Sequence, residues 1–299
     1  MLTIFIFDSY RVSLLDVKKN KYLKKAIYFM ILSTISFTAM NLLVKYLVGF
    51  SAFQLVFFRS IGTLFFTMPF LFYHKISILG NQKKLLIFRG LAGVTSMGLF
   101  FMSVEYLKIG SAVSLRYLSP IFATILAVVF LREKVKNIQW LFFLLAFFGV
   151  LIIKGFDAEI NSFGLLLIVL SALFSGVVYV LINKIGLRDH PVVIVNYFMW
   201  IATILGGVFS VFNWKKTPEG IEWGLLLSLG VFGYFGQLFM TKAFQSQVTN
   251  KVVSLKYMEV IFTMIAGIFL FSDKYPLLSI LGTAMVITGL VLNMFYRSK

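Results

Sequence analysis

GSAVSLRYLSPIFATILAVVFLREK, residues Gly110–Lys134, is apolar over a length that crosses a bilayer, yet it carries an arginine and a proline. Shifted by 140 residues, it meets NKVVSLKYMEVIFTMIAGIFLFSDK at Asn250–Lys274. Val113, Ser114, Leu115, Tyr117, Ile121, Phe122, Ile125 and Lys134 recur as Val253, Ser254, Leu255, Tyr257, Ile261, Phe262, Ile265 and Lys274, and Arg116 becomes Lys256. A fixed, ungapped offset marks an internal duplication rather than shared apolar composition.

The rest of the chain sets the class. Of its 299 residues 60% are hydrophobic and 13% charged, about half the charged share of a soluble domain. Several apolar runs of roughly 20 residues identify a polytopic α-helical membrane protein. The alternating short segments of a β-barrel are missing. There is no cysteine, hence neither disulfide nor thiolate metal site. A net charge of +17 would suggest nucleic acid in a soluble protein; here the basic residues sit mostly in loops, so no nucleic-acid partner is expected. The N-terminus is read as a cytoplasmic tail over residues 1–25, not a signal peptide, because its apolar run Leu2–Phe7 is short and precedes the basic cluster.

Ten spans are expected, near 26–48, 52–73, 86–106, 110–131, 138–153, 162–183, 192–213, 222–244, 249–271 and 277–296. With the N-terminus inside, 18 of the 28 basic residues fall on the inner side, five outside and five within spans. That asymmetry puts both termini in the cytoplasm. The duplication then divides the chain into a repeat over 26–155, a second over 156–296 and a cytoplasmic end at 297–299. Five spans per repeat is an odd number, so the second repeat is expected upside down relative to the first. Inverted-topology repeats are a transporter architecture with the substrate site where the halves meet, near the midplane. Gly90, Gly93 and Gly149 map onto Gly230, Gly233 and Gly289 at the same offset, as close helix packing in lipid requires.

RGLAGVTSMGLFFMSVEYLKIGSAVSLRYLSPIFATILAVVFLREK, residues Arg89–Lys134, resembles the hallmark of EamA-type carriers in the drug/metabolite transporter superfamily. The features are Arg89-Gly90, a small-residue span, Gly110-Ser111-Ala112, Pro120, and Leu131-Arg132-Glu133-Lys134. The resemblance covers roughly residues 26–296 and implies ten helices in two inverted five-helix repeats, working by alternating access. The second copy departs from the pattern, with Val260 in place of the proline and Asp273 in place of the glutamate.

Ionisable residues inside spans are costly and are functional candidates by default. Arg116 lies about six residues from the outer end of its span and Lys256 about seven from the inner end of its own. Each is roughly 6–8 Å from the midplane, on opposite sides of it. Two cations so placed suit a carboxylate or phosphate handed across. The competing reading pairs Arg116 with Glu105 across a hairpin, and Lys256 with Glu259 three residues on. Arg59 is a further candidate for the same cavity. Arg89 is read as marking the inner interface, and Lys45 as snorkelling outward. Four cations (Lys45, Arg59, Arg116, Lys256) against Glu259 leave the interior at +3, which tilts the substrate towards anions or zwitterions. Glu259 is the candidate for proton coupling. Tyr117 and Tyr257 are candidate ligand faces, with Tyr179, Tyr197, Tyr234, Asn41, Asn196 and Gln237 as further polar edges. Pro120 is a candidate hinge.

No HExxH, G-x-S-x-G or P-loop is present, so neither an enzyme nor an ATP-driven pump is expected, and no cofactor or metal. The reading is a secondary carrier of a small polar metabolite (an amino acid, nucleotide-like compound or organic anion) in a bacterial cytoplasmic membrane, with a proton or other ion as possible partner. A multidrug exporter of the same fold is the alternative, followed by a membrane enzyme or a scaffold.

Overall fold

The computed structural model describes residues 2–132, 135–156, 161–246, 256, 258–272 and 274–296, with side chains for most of those from residue 24 onward. The described residues are helical, without strands: α1 Leu2–Tyr46, α2 Ala52–Tyr73, α3 Lys83–Val104, α4 Ile109–Arg116, α5 Ser119–Leu131, α6 Asn137–Phe156, α7 Ser162–Ile185, α8 Pro191–Phe212, α9 Ile221–Ser246, α10 Met258–Phe271 and α11 Leu277–Phe295. Seven stretches are long and apolar enough to cross a membrane: Lys24–Tyr46, Ala52–Tyr73, Lys83–Val104, Ser111–Leu131, Ser162–Arg188, Pro191–Phe212 and Ile221–Gln245. Three shorter apolar helices lie at Asn137–Gly149, Phe262–Phe271 and Leu277–Asn293.

Burial is reversed relative to a soluble protein. Phe65, Phe72, Phe212 and Phe269 face outward, whereas Ser33, Thr34, Ser60, Thr63, Thr67, Ser171 and Asn196 are fully enclosed. Lipid solvates the first set as well as a protein core would, and the second set packs helix backbones closely. Two of these buried hydroxyls tie neighbouring helices through backbone: Ser33 Oγ donates to the Gly236 carbonyl (2.8 Å) and Ser171 Oγ to that of Ser96 (2.7 Å).

The main helix pairings recur when the elements of one half are exchanged for those of the other. α1 packs on α9 as α7 packs on α3; α2 on α9 as α8 on α3; α5 on α7 as α10 on α1; α2–α8 and α6–α11 pair with their own counterparts. Glycines report the same relation at atomic scale. A Cβ on Gly149 would lie 2.5 Å from the Gly282 carbonyl oxygen; one on Gly289 would lie 2.5 Å from that of Phe142, its equivalent at the 140-residue offset. Both approaches are backbone on backbone, so only glycine fits. Arg132 and Ser272, also 140 apart, both turn left-handed at φ 54° and 52°.

The span that opened the sequence reading is not one helix. α4 ends at Arg116, a turn follows, and α5 starts at Ser119 with Pro120 in its first turn. The proline therefore sits where a helix N-terminus tolerates it, not as a kink in mid-helix. The turn is held by Tyr117 N and Leu118 N donating to the Ser114 and Leu115 carbonyls, each at 3.1 Å.

Candidate functional site

α1, α2, α3, α4, α7, α8, α9 and α10 surround a central cavity of about 40 Å³. Arg59, Arg89, Arg116, Lys256 and Glu259 all line it, with Phe37, Phe100, Tyr179, Phe198 and Gln237 among the walls. Arg59 and Arg89 are 2% and 0% exposed. They flank one ring: the Arg89 guanidinium carbon stands 4.4 Å from the Phe198 centroid and that of Arg59 6.0 Å from it. Arg89 donates to Gln237 Oε1 at 2.8 Å, and Arg59 contacts the sulfur of Met97. Nε and one further nitrogen of each guanidinium are buried with no acceptor among the described residues.

The glycines beside these arginines make room for them. A Cβ on Gly93 would lie 3.0 Å from an Arg89 nitrogen, and one on Gly233 2.7 Å from Arg59 Nε. The two positions are equivalent in the two halves, and each accommodates an arginine.

A second grouping lies around Tyr179. Lys256 Nζ donates to the Tyr179 hydroxyl at 2.9 Å and stands 5.2 Å from the Phe37 ring centroid. Arg116 is half-buried, 4.4 Å above the Phe100 ring, and its charge also acts on Tyr179. Glu259 is 5% exposed and accepts from Asn41 Nδ2 at 2.9 Å. Ser119, equivalent to Glu259 at the 140-residue offset, neighbours Tyr179.

Three expectations are corrected. Glu105 does not pair with Arg116: past the end of α3 it is exposed and bridges to Lys215 at 3.1 Å, while Arg116 lies over the Phe100 ring. Lys256 and Glu259 form no salt bridge among the described residues; Lys256 precedes α10 and turns to Tyr179, while Glu259 is taken by Asn41. Arg89 is not an interfacial marker; it projects inward from α3 and is fully enclosed.

Other candidates fall elsewhere. The Tyr117 hydroxyl donates to the Lys256 carbonyl, a backbone bond between equivalent segments, and Tyr117 does not line the cavity. Tyr257 lies outside the described residues. Tyr197 donates to the Leu79 carbonyl in the loop between α2 and α3, Tyr234 stacks on Phe66, and Asn196 accepts from Thr67. No group of His, Asp and Glu fit to hold a metal occurs among the described residues.

Asp189 accepts from the Asn81 and Gln82 amides and Gln245 reaches the Gly186 and Asp189 carbonyls. His190 caps α8 by accepting from Val192 N. Partial burial, then the charges of Lys242 and His74, hold its pKa below the ordinary value.

The sequence model of the EamA-like transporter family matches residues 24–155 and again 162–295. The chain belongs to the EamA-like transporter family. This EamA-like chain is 28% identical over 275 residues to the pseudopaline exporter CntI of Pseudomonas aeruginosa, covering 90% of this chain and 95% of that one. It is 27% identical to human solute carrier family 35 member G1 (91% and 80% covered) and 26% identical to the S-adenosylmethionine uptake transporter of Rickettsia felis (90% and 92%). A crystal structure of another protein, 14% identical, superposes with a TM-score of 0.69 over 90% of this chain and 96% of its own; that likeness concerns the fold. The EamA-like chain is thus a multi-pass membrane protein whose relatives are transporters of small molecules.

Proposed function

We propose that this EamA-like protein is a secondary transporter that moves a small acidic or zwitterionic metabolite across the cytoplasmic membrane by alternating access. The observation that carries the reading is one cavity holding four cationic side chains and a single carboxylate. Buried charges without partners are costly, and an arriving anion removes that cost for the duration of the transport step. Arg59, Arg116 and Lys256 are the proposed substrate contacts, joined by Arg89. The Tyr117 bond to the Lys256 carbonyl supports a positioning role: it anchors the lysine backbone. The turn before Pro120 is the proposed hinge.

Seven long and three short apolar helices, main pairings that recur between the halves and two family matches support ten crossings arranged as two inverted five-helix repeats, with both termini cytoplasmic. The relatives named for pseudopaline and S-adenosylmethionine support a polar metabolite as cargo.

Glu259 is proposed as the proton-coupling site: it is the cavity's one carboxylate, and its partner Asn41 is neutral. Purified protein in liposomes tests both readings. Saturable uptake from a panel of amino acids, nucleotides and organic acids is expected, and Arg116→Ala with Lys256→Ala abolishes it. Flux that survives the double change sinks the cation contacts; the absence of saturable flux for every solute sinks the carrier. Glu259→Gln is expected to remove the response to an imposed pH gradient, and an unchanged response would assign coupling elsewhere.

A further inference from the structure

The four cations line one cavity but stand around different aromatic rings. Arg59 on α2 and Arg89 on α3 share the Phe198 ring, at 6.0 Å and 4.4 Å. Lys256 before α10 donates to the Tyr179 hydroxyl, and Arg116 on α4, over the Phe100 ring, acts on both Tyr179 and Arg59. Each guanidinium of the first grouping keeps two buried nitrogens without an acceptor among the described residues, although both side chains are at least nine-tenths enclosed. Polar groups buried to this extent are normally bonded. Their orphaned donors lie on the wall of a cavity, where an incoming acceptor can reach them. A planar fork of N–H donors matches a carboxylate in geometry as well as charge. The glycines at 93 and 233 leave open the volume a Cβ would fill against each arginine. Glu259, tied to Asn41, offsets one charge of the four.

We infer that the solute carried through this cavity bears at least two carboxylates, one received by Arg59 and Arg89 over Phe198 and another by Arg116 and Lys256 beside Tyr179. The inference rests on the carrier reading and narrows its substrate class. Four cations on the lining against one carboxylate favour two acid groups over one. A monocarboxylate fills one grouping and leaves the other uncompensated.

The test uses the full-length purified protein in detergent and a matched series: valerate with one carboxylate, glutarate with two, tricarballylate with three. Titration calorimetry is expected to show affinity rising roughly tenfold or more from valerate to glutarate, since each charge meets its partners in a site of low dielectric. The advantage shrinks as salt is raised. Arg59→Gln and Arg116→Gln each bring glutarate down to the valerate level. If those variants fold poorly, Arg59→Lys and Arg89→Lys keep the charge, lose the fork, and are expected to give intermediate affinity. Equal affinity for valerate and glutarate overturns the inference. So does tighter binding of glycerol 3-phosphate than of glutarate, and so does no binding of any member at millimolar concentration. In each of these cases saturable flux of some other solute in liposomes would leave the carrier reading standing, whereas loss of flux for all solutes would remove that reading as well.

Discussion

Gly233→Ala isolates the contact between a glycine of α9 and a buried arginine of α2. The new methyl would start 2.7 Å from Arg59 Nε, 3.2 Å from its Cγ and 3.5 Å from its Cδ. Ordinary contact between such atoms needs roughly 3.5 Å or more, so the side chain must retreat by about 0.8 Å. It has little room to do so. Arg59 is 2% exposed, with the Met97 sulfur on one side and the Phe198 ring on another. Overpacking of this kind costs about 1–3 kcal/mol. The helix preference of alanine over glycine returns at most about 1 kcal/mol. Removing the arginine changes the sign. In an Arg59→Ala background all three atoms near the methyl are gone, and Gly233→Ala is expected to be neutral or stabilising by up to about 1 kcal/mol. The four proteins form a double-mutant cycle with a coupling of about 1–3 kcal/mol. Denaturant titration of the purified proteins in detergent reads it. Equal destabilisation by Gly233→Ala in both backgrounds would show that the methyl collides with backbone instead, and that the glycine does not serve the arginine.

Gly149→Ala and Gly289→Ala should each lower the midpoint of thermal unfolding by a similar amount, because each places a methyl 2.5 Å from a backbone oxygen of the facing helix. Gly98→Ala, with nothing within 4 Å of the added carbon, should be neutral or raise it; the reverse order would contradict the α6–α11 packing. Glu105→Gln is expected to change stability by no more than about 1 kcal/mol, as for other exposed ion pairs, and to leave substrate affinity unaltered, whereas a large loss of affinity would return Glu105 to Arg116. His190 titrates below its ordinary value through partial burial and the nearby Lys242 and His74 charges. Its folded pKa is thus depressed, and a histidine in that position favours folding while neutral. Stability from this group is therefore present above the unfolded pKa near 6.5 and lost as pH falls through the folded value. His190→Asn, which keeps a capping acceptor for Val192 N, should lessen the acid sensitivity seen in thermal unfolding between pH 7.5 and 5. An unchanged pH profile would refute the assignment.

How far the site was legible depended on the kind of information each residue carried. Arg116, Lys256, Arg59 and Glu259 stood out because charge inside an apolar run is costly wherever it points. Arg89 did not, since position along a span gives depth but not the direction of the side chain. It lies only six residues into α3 and is nonetheless fully enclosed. The Glu105–Arg116 pairing failed as well: similar depth does not fix a partner, and the carboxylate's partner, Lys215, is 110 residues away in sequence. Tyr117 and Gln237 exchanged roles, the former bonding a backbone carbonyl and the latter an arginine on the cavity wall.

The sequence by itself determined the membrane class and the duplication, because hydropathy and a fixed 140-residue offset are properties of the chain and need no third dimension. It also determined that several cations lie at membrane depth. Only the tertiary structure decided which of them meet. The azimuth of each helix is set by its packing against neighbours distant in sequence, and those neighbours close Arg59 and Arg89 around Phe198 and turn Lys256 from Glu259 to Tyr179. Tertiary structure also gave the glycines at 93 and 233 a second meaning: besides letting helices approach, they leave the space in which the two arginines stand.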